Sequence, residues 1–515
     1  MEMTLGYSVV RNARKYPNKT AILCEEDRRT YRDLNERSNR LARALRGLGM
    51  GQGDRIATLS FNSIELMEFY IAHLKIGAIT VPLNAWGTDK EILYQADFTD
   101  CKAFVFHRDF LLRVEGIRPS LPRVKTWLFI GTSPPPFSQA SEELIARESP
   151  EDLPIEVKEV DEAFILFTGG TTGVPKGAVL THRSLLWNII SVTTENQSPT
   201  PDDVVYYPMP LFHTAALSRF LAYMYAGGTF IVTREFDAQK CLEIIQREGV
   251  TAMTGNPTIW GKLLQESDRK SYDTRSMRMY LNSQGILHPA MQQALETRLF
   301  PNARTYVSYA LTEASPGVTI LKPSDKPEET ASVGKPYMCT EVRIVDEEDH
   351  DLPPGEVGEI IVKGPTVMKE YYRNPEETAQ TLREGWLHTG DLGKLDREGF
   401  LYFVDRKKDM IKSGGLNIYS KEVEEVLAKH PKVAEAVIIG VPDEKWGETV
   451  KAVVVLKKGE SLSEREVIDY CKQSLASYKK PTSVVFLDAL PRSHFGNKVL
   501  KRELRERFGK KINSP

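Results

Sequence analysis

The chain has 515 residues, with 68 Lys and Arg against 70 Asp and Glu, for a formal net charge of −2 at pH 7. That length exceeds what a single hydrophobic core serves, so two or more domains are expected. The near-zero charge excludes a global electrostatic drive toward nucleic acid or an anionic membrane.

The 41% hydrophobic and 27% charged fractions are those of a soluble globular protein. No apolar run approaches the roughly 18 residues of a spanning helix. Five cysteines, at 24, 101, 241, 339 and 471, lie far apart and read as small buried hydrophobes in a reducing compartment, without a disulfide frame or a metal site. The start M-E-M-T-L-G-Y lacks a secretory pattern, and the end K-I-N-S-P lacks a peroxisomal or lipidation motif, so the cytoplasm is the expected location.

In chain order, Arg29 to Leu48 carries apolar residues at helical spacing and stops at Gly49 and Gly51. Arg55 to Ser60 predicts a strand. Ser63 is placed to cap a helix that Gly77 ends, and Ile79 to Leu83 predicts the next strand. Ala103 to Phe106 and Trp127 to Ile130 continue the alternation, and Ser133 to Phe137 reads as a surface loop. Later come the strand Phe230 to Val232, a helix from near Asp237 to Gly249, and the strand Val250 to Thr254. This order predicts an α/β domain with largely parallel sheets.

Between these blocks stands F-I-L-F-T-G-G-T-T-G-V-P-K-G-A-V-L-T-H, from Phe164 to His182. A buried strand is followed by a loop of Gly, Thr, Pro and Lys. Gly169, Gly170, Gly173 and Gly177 let backbone N–H groups approach a ligand, Thr168, Thr171 and Thr172 add hydroxyls, and Lys176 adds a cation. Such a loop suits a polyphosphate. The G-x-x-x-x-G-K-[ST] spacing fails, because Pro175 precedes the lysine and Gly177 follows it.

Beyond about residue 335, E-V-R-I-V-D, G-E-I-I-V-K-G and F-L-Y-F-V-D predict short strands of a small distorted barrel or sheet. After Asp405 a compact α+β pattern follows: a helix from Lys421 to Lys429, strands at Ala436–Ile439 and Lys451–Leu456, a helix from Ser463 to about Leu475, and a strand at Val484–Leu487. The boundary is placed at Asp405–Asp409.

Four further stretches carry chemistry. In Tyr309-Ala310-Leu311-Thr312-Glu313, a carboxylate and a hydroxyl adjacent at a strand end suit Mg²⁺. In Trp386-Leu387-His388-Thr389-Gly390-Asp391-Leu392, one carboxylate is able to accept two hydrogen bonds from a ribose diol, although Gly-Asp alone is as readily a turn. Asp405 to Gly415 is a charge run, which by composition is most often a solvated face. Near the end stands L-P-R-S-H-F-G-N-K-V-L-K-R-E-L-R.

T-G-G-T-T-G-V-P-K-G closely resembles the signature loop of the AMP-forming adenylating enzymes: acyl- and aryl-CoA synthetases, peptide-synthetase adenylation domains and luciferases. The other motifs resemble theirs in the correct order over nearly the full length. The fold this implies is α/β, with a large N-terminal domain of α/β sheets plus a small distorted β-barrel at 1–407. A small mobile α+β C-terminal domain follows at 409–515, with the hinge at Lys408. By the same resemblance Glu313 and Thr168 hold Mg²⁺, Thr312 lies near the α-phosphate and Tyr309 stacks on adenine. Ala310 replaces the family's glycine, at a cost in backbone freedom. Asn282-Ser283-Gln284-Gly285-Ile286 fits the adenine-side loop, Asp391 is the ribose ligand, and Arg406 contacts ribose or phosphate.

The resemblance also assigns Lys412 and the Gly414–Gly415 turn to a loop used in the second half-reaction. It places His213 beside the acyl and pantetheine channels as a positioning residue. The adenylation lysine is Lys498, with Lys501 second, because Asn497 interrupts the usual Gly-Lys. Trp187, Phe212, Tyr207, Leu217, Tyr223 and Gly285 are the aromatic and apolar candidates for an acid pocket.

A carboxylate is a poor electrophile, so the chemistry implied is its attack on the α-phosphorus of ATP, expelling pyrophosphate, and then thiol attack on the acyl-adenylate. Charge neutralisation and alignment carry the first step. A small domain on a hinge exchanges one face for another before the second. The implied partners are ATP, Mg²⁺, coenzyme A and an apolar medium-chain, cyclic or aromatic monocarboxylate, in a monomer or homodimer. Competing readings are a stand-alone enzyme that loads a carrier protein, although no carrier follows within these residues, and an inactive nucleotide-binding regulator.

Overall fold

The computed structural model describes residues 3–168, 174–195, 199–283, 285, 287–329, 331–492 and 499–509. Two compact units form: Met1–Arg343 with Ile361–His388 and Glu398–Leu401, and Ile344–Ile360 with Thr389–Arg397 and Tyr402–Pro515.

The first unit contains two large sheets. In the eight-stranded one, Arg55–Leu59, Ile79–Pro82, Ala103–His107, Thr126–Ile130, Gln139–Ala140 and Glu162–Thr168 run parallel. Lys176–Thr181 returns antiparallel to Glu162–Thr168, and Glu370–Tyr371 pairs antiparallel with it in turn. Period-two alternation explains the wholly apolar strands: Phe104 and Phe106 enter one core cluster, Ala103 and Val105 the other. In the nine-stranded sheet, Thr20–Cys24, Val204–Tyr206, Thr229–Val232, Ala252–Gly255, Met279–Asn282 and Arg304–Ala310 run parallel. Asp27–Thr30, Gly317–Leu321 and Lys335–Pro336 close its edges antiparallel. The mixed α/β class is as the sequence predicts, with antiparallel edges that strand–helix alternation does not reveal.

Local chemistry sets the helix ends. Thr30 accepts the Asp33 N–H in a capping box, so the helix is Tyr31–Gly47 and the expected start at Arg29 is a strand, Asp27–Thr30. Ser63 accepts the Leu66 N–H at 3.1 Å, and Gly77 ends that helix in the left-handed region, as expected. Ser133 to Phe137 is more than a surface loop, since Phe137 stacks on Phe106 at 6.0 Å and packs against the core.

The helix Ile64–Ile76 buries two charges completely. Glu68 Oε1 accepts from Arg29 at 3.0 Å and Arg37 at 2.6 Å. Lys75 Nζ donates to Asn35 O and Oδ1, Ser38 Oγ and Asn39 Oδ1, all on the helix Tyr31–Gly47, at 2.7 to 3.2 Å.

Glu341–Val345, Gly358–Lys363, Leu382–Arg383, Trp386–Leu395 and Leu401–Arg406 form a five-stranded sheet. The second unit also holds a five-stranded sheet centred on the long hairpin Val433–Asp443 and Gly447–Leu456. Ile411–Ser413 and Leu416–Ile418 extend it on one side, and Ser483–Phe486 pairs parallel with Gly447–Leu456. Both hairpin strands are longer than their apolar stretches suggest, because their outer residues are paired without being buried. Helices Ser420–Ala428 and Glu464–Ser474 cover one core cluster and Lys501–Phe508 the other. Cys24, Cys101, Cys241 and Cys471 are buried, and Cys339 is half-buried. No helix among the described residues is long and apolar enough to cross a membrane.

Candidate active site

The Gly/Thr loop joins two antiparallel strands in register, with Thr168 opposite Lys176. Gly169, Gly170, Thr171, Thr172 and Gly173 lie outside the described residues. Lys176 is largely buried and pairs with Glu377, on the short helix Pro375–Thr381; its ammonium also lies 5.3 Å from the centre of the Tyr371 ring.

The strand Arg304–Ala310 of the other sheet leads into the turn Thr312–Ala314, which delivers Glu313 to the same place. Glu313 Oε1 accepts from the Thr168 hydroxyl at 3.1 Å and from the Tyr371 phenol at 2.8 Å. Burial, then the charge of Glu313, raises the Tyr371 pKa well above its ordinary value, so the phenol stays a donor. Beside it, the Thr214 hydroxyl donates to Thr312 Oγ1 at 2.8 Å. Thr168 and Glu313, which are 145 positions apart, are thus brought together.

Ala310 is extended and outside the left-handed region, paired with Gly317, so the alanine costs no backbone freedom, contrary to expectation. Tyr309 is nearly buried. Gln284 lies outside the described residues. Gly285 is exposed; its carbonyl accepts the Asn282 side-chain amide at 2.8 Å, and a Cβ there would lie 3.1 Å from Pro257. His213 precedes the helix Thr214–Ala226 and packs on Phe212, with ring centroids 4.5 Å apart. Burial lowers its pKa to about 4, which suits a neutral positioning group. Trp187 and Phe212 are half-buried. Tyr207, Leu217 and Tyr223 are fully buried, the two tyrosines packing on Phe230, so these three belong to the core.

In the second unit, Asp391 lies on the strand Trp386–Leu395, with Arg406 Nε 3.8 Å from its Oδ1. Glu359 accepts the Gly390 N–H at 3.1 Å and pairs with Lys407 at 2.9 Å. Lys408 lies among these residues, and its pKa is lowered by burial and by Arg406. Burial opposes ionisation of the neighbouring Asp409, but Lys501, Arg505 and Arg406 outweigh it and hold its pKa below the usual value.

Lys412 is exposed and forms a 3.2 Å pair with Glu347. Gly414 and Gly415 turn the hairpin Ile411–Ser413 to Leu416–Ile418 with φ of 57° and 81°. A Cβ on Gly414 would lie 2.6 Å from the Trp446 ring. Lys498 lies outside the described residues. Lys501 is committed elsewhere, pairing with Glu424 at 2.8 Å and donating to Ser420 at 2.6 Å. Among the described residues, Asp346, Glu348 and His350 also group closely. Asp346 Oδ1 there accepts the N–H groups of the other two, which makes it a turn.

Sequence reasoning missed Tyr371, Glu377 and Thr214. The signal available for the first two was the polar, proline-punctuated run E-Y-Y-R-N-P-E-E-T, and for Thr214 only its place after His213.

The AMP-binding enzyme family profile matches residues 9–372, and that of the AMP-binding enzyme C-terminal domain matches 422–497. The chain is 38% identical to a feruloyl-CoA synthase of an Amycolatopsis species over 508 residues, 98% of this chain and 99% of that one. It is 33% identical to a long-chain-fatty-acid–CoA ligase of Mycobacterium tuberculosis, covering 93% of each. The o-succinylbenzoate CoA synthetase of Bacillus subtilis, solved with its acyl-adenylate intermediate, is similar with a TM-score of 0.85 and 31% identity, covering 98% of each chain. With the adenylation motifs in order along both units and these matches spanning nearly its whole length, the chain belongs to the AMP-binding enzyme family, as an AMP-forming acid–thiol ligase that uses ATP, Mg²⁺ and coenzyme A.

Proposed function

We propose that this acyl-CoA synthetase acts on an apolar monocarboxylate, aromatic, cyclic or medium-chain, through an acyl-adenylate. The observation that carries the reading is the meeting of Thr168 and Glu313 at the base of the phosphate loop. The donor set fits Mg²⁺, a hard cation that takes oxygen ligands. Both hydroxyl protons are given to Glu313 Oε1, which leaves Oε2 and the lone pairs of Thr168 for a cation. Mg²⁺ held there supplies charge neutralisation for the triphosphate.

The remaining roles are those the resemblance implies. Gly169, Gly170, Thr171, Thr172, Gly173 and Lys176 cradle phosphate oxygens, and Lys498 offsets charge as the carboxylate attacks the α-phosphorus. Tyr309 and Ala310, with Gln284 and Gly285, take the adenine; Thr312 lies at the α-phosphate, and Asp391 and Arg406 take the ribose. Trp187 and His213 bound the acid, the neutral imidazole orienting it without titrating near pH 7. Lys412, Gly414 and Gly415 serve thiol attack after the 409–515 part has turned about Lys408, within the 373–421 stretch that the two family profiles leave between them. The cytoplasm, which supplies ATP, Mg²⁺ and coenzyme A, is the proposed location.

The test is pyrophosphate release with ATP, Mg²⁺ and a panel of acids (ferulate, indoleacetate, decanoate, acetate), first without and then with coenzyme A. Release with ferulate or decanoate, and little with acetate, is the expected outcome. Turnover confined to acetate would overturn the apolar-acid reading.

A further inference from the structure

Residues 368–378 touch both sides of the proposed Mg²⁺ and phosphate site. The segment is stitched along the strand Lys176–Thr181: Lys369 N–H donates to Val179 O at 2.9 Å and Tyr372 N–H to Gly177 O at 2.8 Å, with Tyr371 opposite Ala178. At its start, the Met368 N–H donates to the Glu313 carbonyl at 2.7 Å. Tyr371 N–H in turn donates to Thr378 Oγ1 at 3.0 Å, on the helix that carries Glu377. Backbone bonds thus fix Tyr371 on both flanks and aim its phenol at Glu313 Oε1.

We propose that Tyr371 is a positioning residue that holds the Glu313 carboxylate in one orientation for Mg²⁺·ATP; this rests on the reading of Glu313 as a metal ligand. A glutamate on a single helical turn has several rotamers open to it, and a cation site needs one of them. Two hydroxyl donors converging on Oε1 select that rotamer and turn Oε2 toward the cation side. The Tyr371 ring is itself steadied by the Lys176 ammonium over its face, and Lys176 by Glu377. Tyr371→Phe therefore removes the bond to Glu313, together with the phenol's hydrogen bond to Thr381, and keeps the ring and its cation contact.

The experiment uses the full chain as wild type, Tyr371→Phe, Glu313→Gln and the double variant. ATP binding is measured by calorimetry with Mg²⁺ and with EDTA, Mn²⁺ binding in the presence of ATP by electron paramagnetic resonance, and folding by Tm. Tyr371→Phe is expected to bind metal-free ATP as wild type does. It should lose roughly ten- to a hundredfold in metal affinity and lose nothing further in the Glu313→Gln background. Wild-type metal affinity in Tyr371→Phe, or an equal loss in both backgrounds, would overturn the role of Tyr371 and leave that of Glu313 standing. Metal affinity untouched by Glu313→Gln would overturn the metal-ligand reading, and the proposal with it.

Discussion

Lys498 and Lys501 stand three positions apart and are expected to behave in opposite ways. Lys501 is tied to Glu424 and Ser420, so Lys501→Ala strands a mostly buried carboxylate. Its cost is roughly 2–4 kcal/mol, near the low end for a buried pair because both side chains keep some solvent. Lys498→Ala is expected to leave Tm unchanged and abolish pyrophosphate release. Thermal unfolding and pyrophosphate release, run side by side on both variants, check this; an inactive but stable Lys501→Ala would reverse the assignment. The same contrast shows what the residues disclosed in advance. Thr168 and Glu313 were legible because motif chemistry marked each of them. The pairing of Lys176 with Glu377 spans 201 positions and depends on which strand lies beside Lys176–Thr181, which no local pattern encodes.

At the scale of elements, the helix Ile64–Ile76 reads from sequence as an apolar helix between a serine cap and a glycine stop, and the structure agrees. Its buried lysine was not legible. Lys75 is satisfied by Asn35, Ser38 and Asn39, whose side chains look like the polar face of a surface helix until the two helices pack. Burial lowers the Lys75 pKa to about 7, against the opposing charge of Asp152. Unfolded lysine titrates near 10.4, so between about pH 7 and 10 the unfolded chain binds the extra proton and stability rises with pH. Urea unfolding at about pH 7.5 and 9.5 should show this slope in wild type and a flatter one in Lys75→Met. Equal slopes would mean that Lys75 keeps its ordinary pKa. The Gly414–Gly415 turn makes a second element-scale test. Gly414→Ala meets both a positive φ and the Trp446 ring, so it should lower stability by roughly 1–3 kcal/mol, read by thermal unfolding.

For the whole molecule, the two half-reactions should separate. Lys412 is exposed on the second unit, and its ammonium forms only a surface pair with the exposed Glu347 at 3.2 Å, so loss of the side chain should hardly affect folding. Lys412→Ala is expected to release pyrophosphate within about threefold of wild type and to form thioester at least tenfold more slowly, about 1.4 kcal/mol in the second barrier. Equal loss in both steps, measured by single-turnover kinetics, would place Lys412 outside the second step. The α/β class and the order of the motifs were legible because both rest on local patterns of apolar strands and Gly-rich loops. The antiparallel edges were not, since they depend on pairings far apart in sequence.

The Gly414–Gly415 turn lies against Trp446, the one exposed tryptophan among the described residues. A collisional quencher such as iodide, kept out of the interior, therefore acts mainly on this indole. The chain thus carries its own optical reporter on the hairpin assigned to the second half-reaction. Quenching followed as acid and ATP, and then coenzyme A, are added would time the changes around that turn without a label.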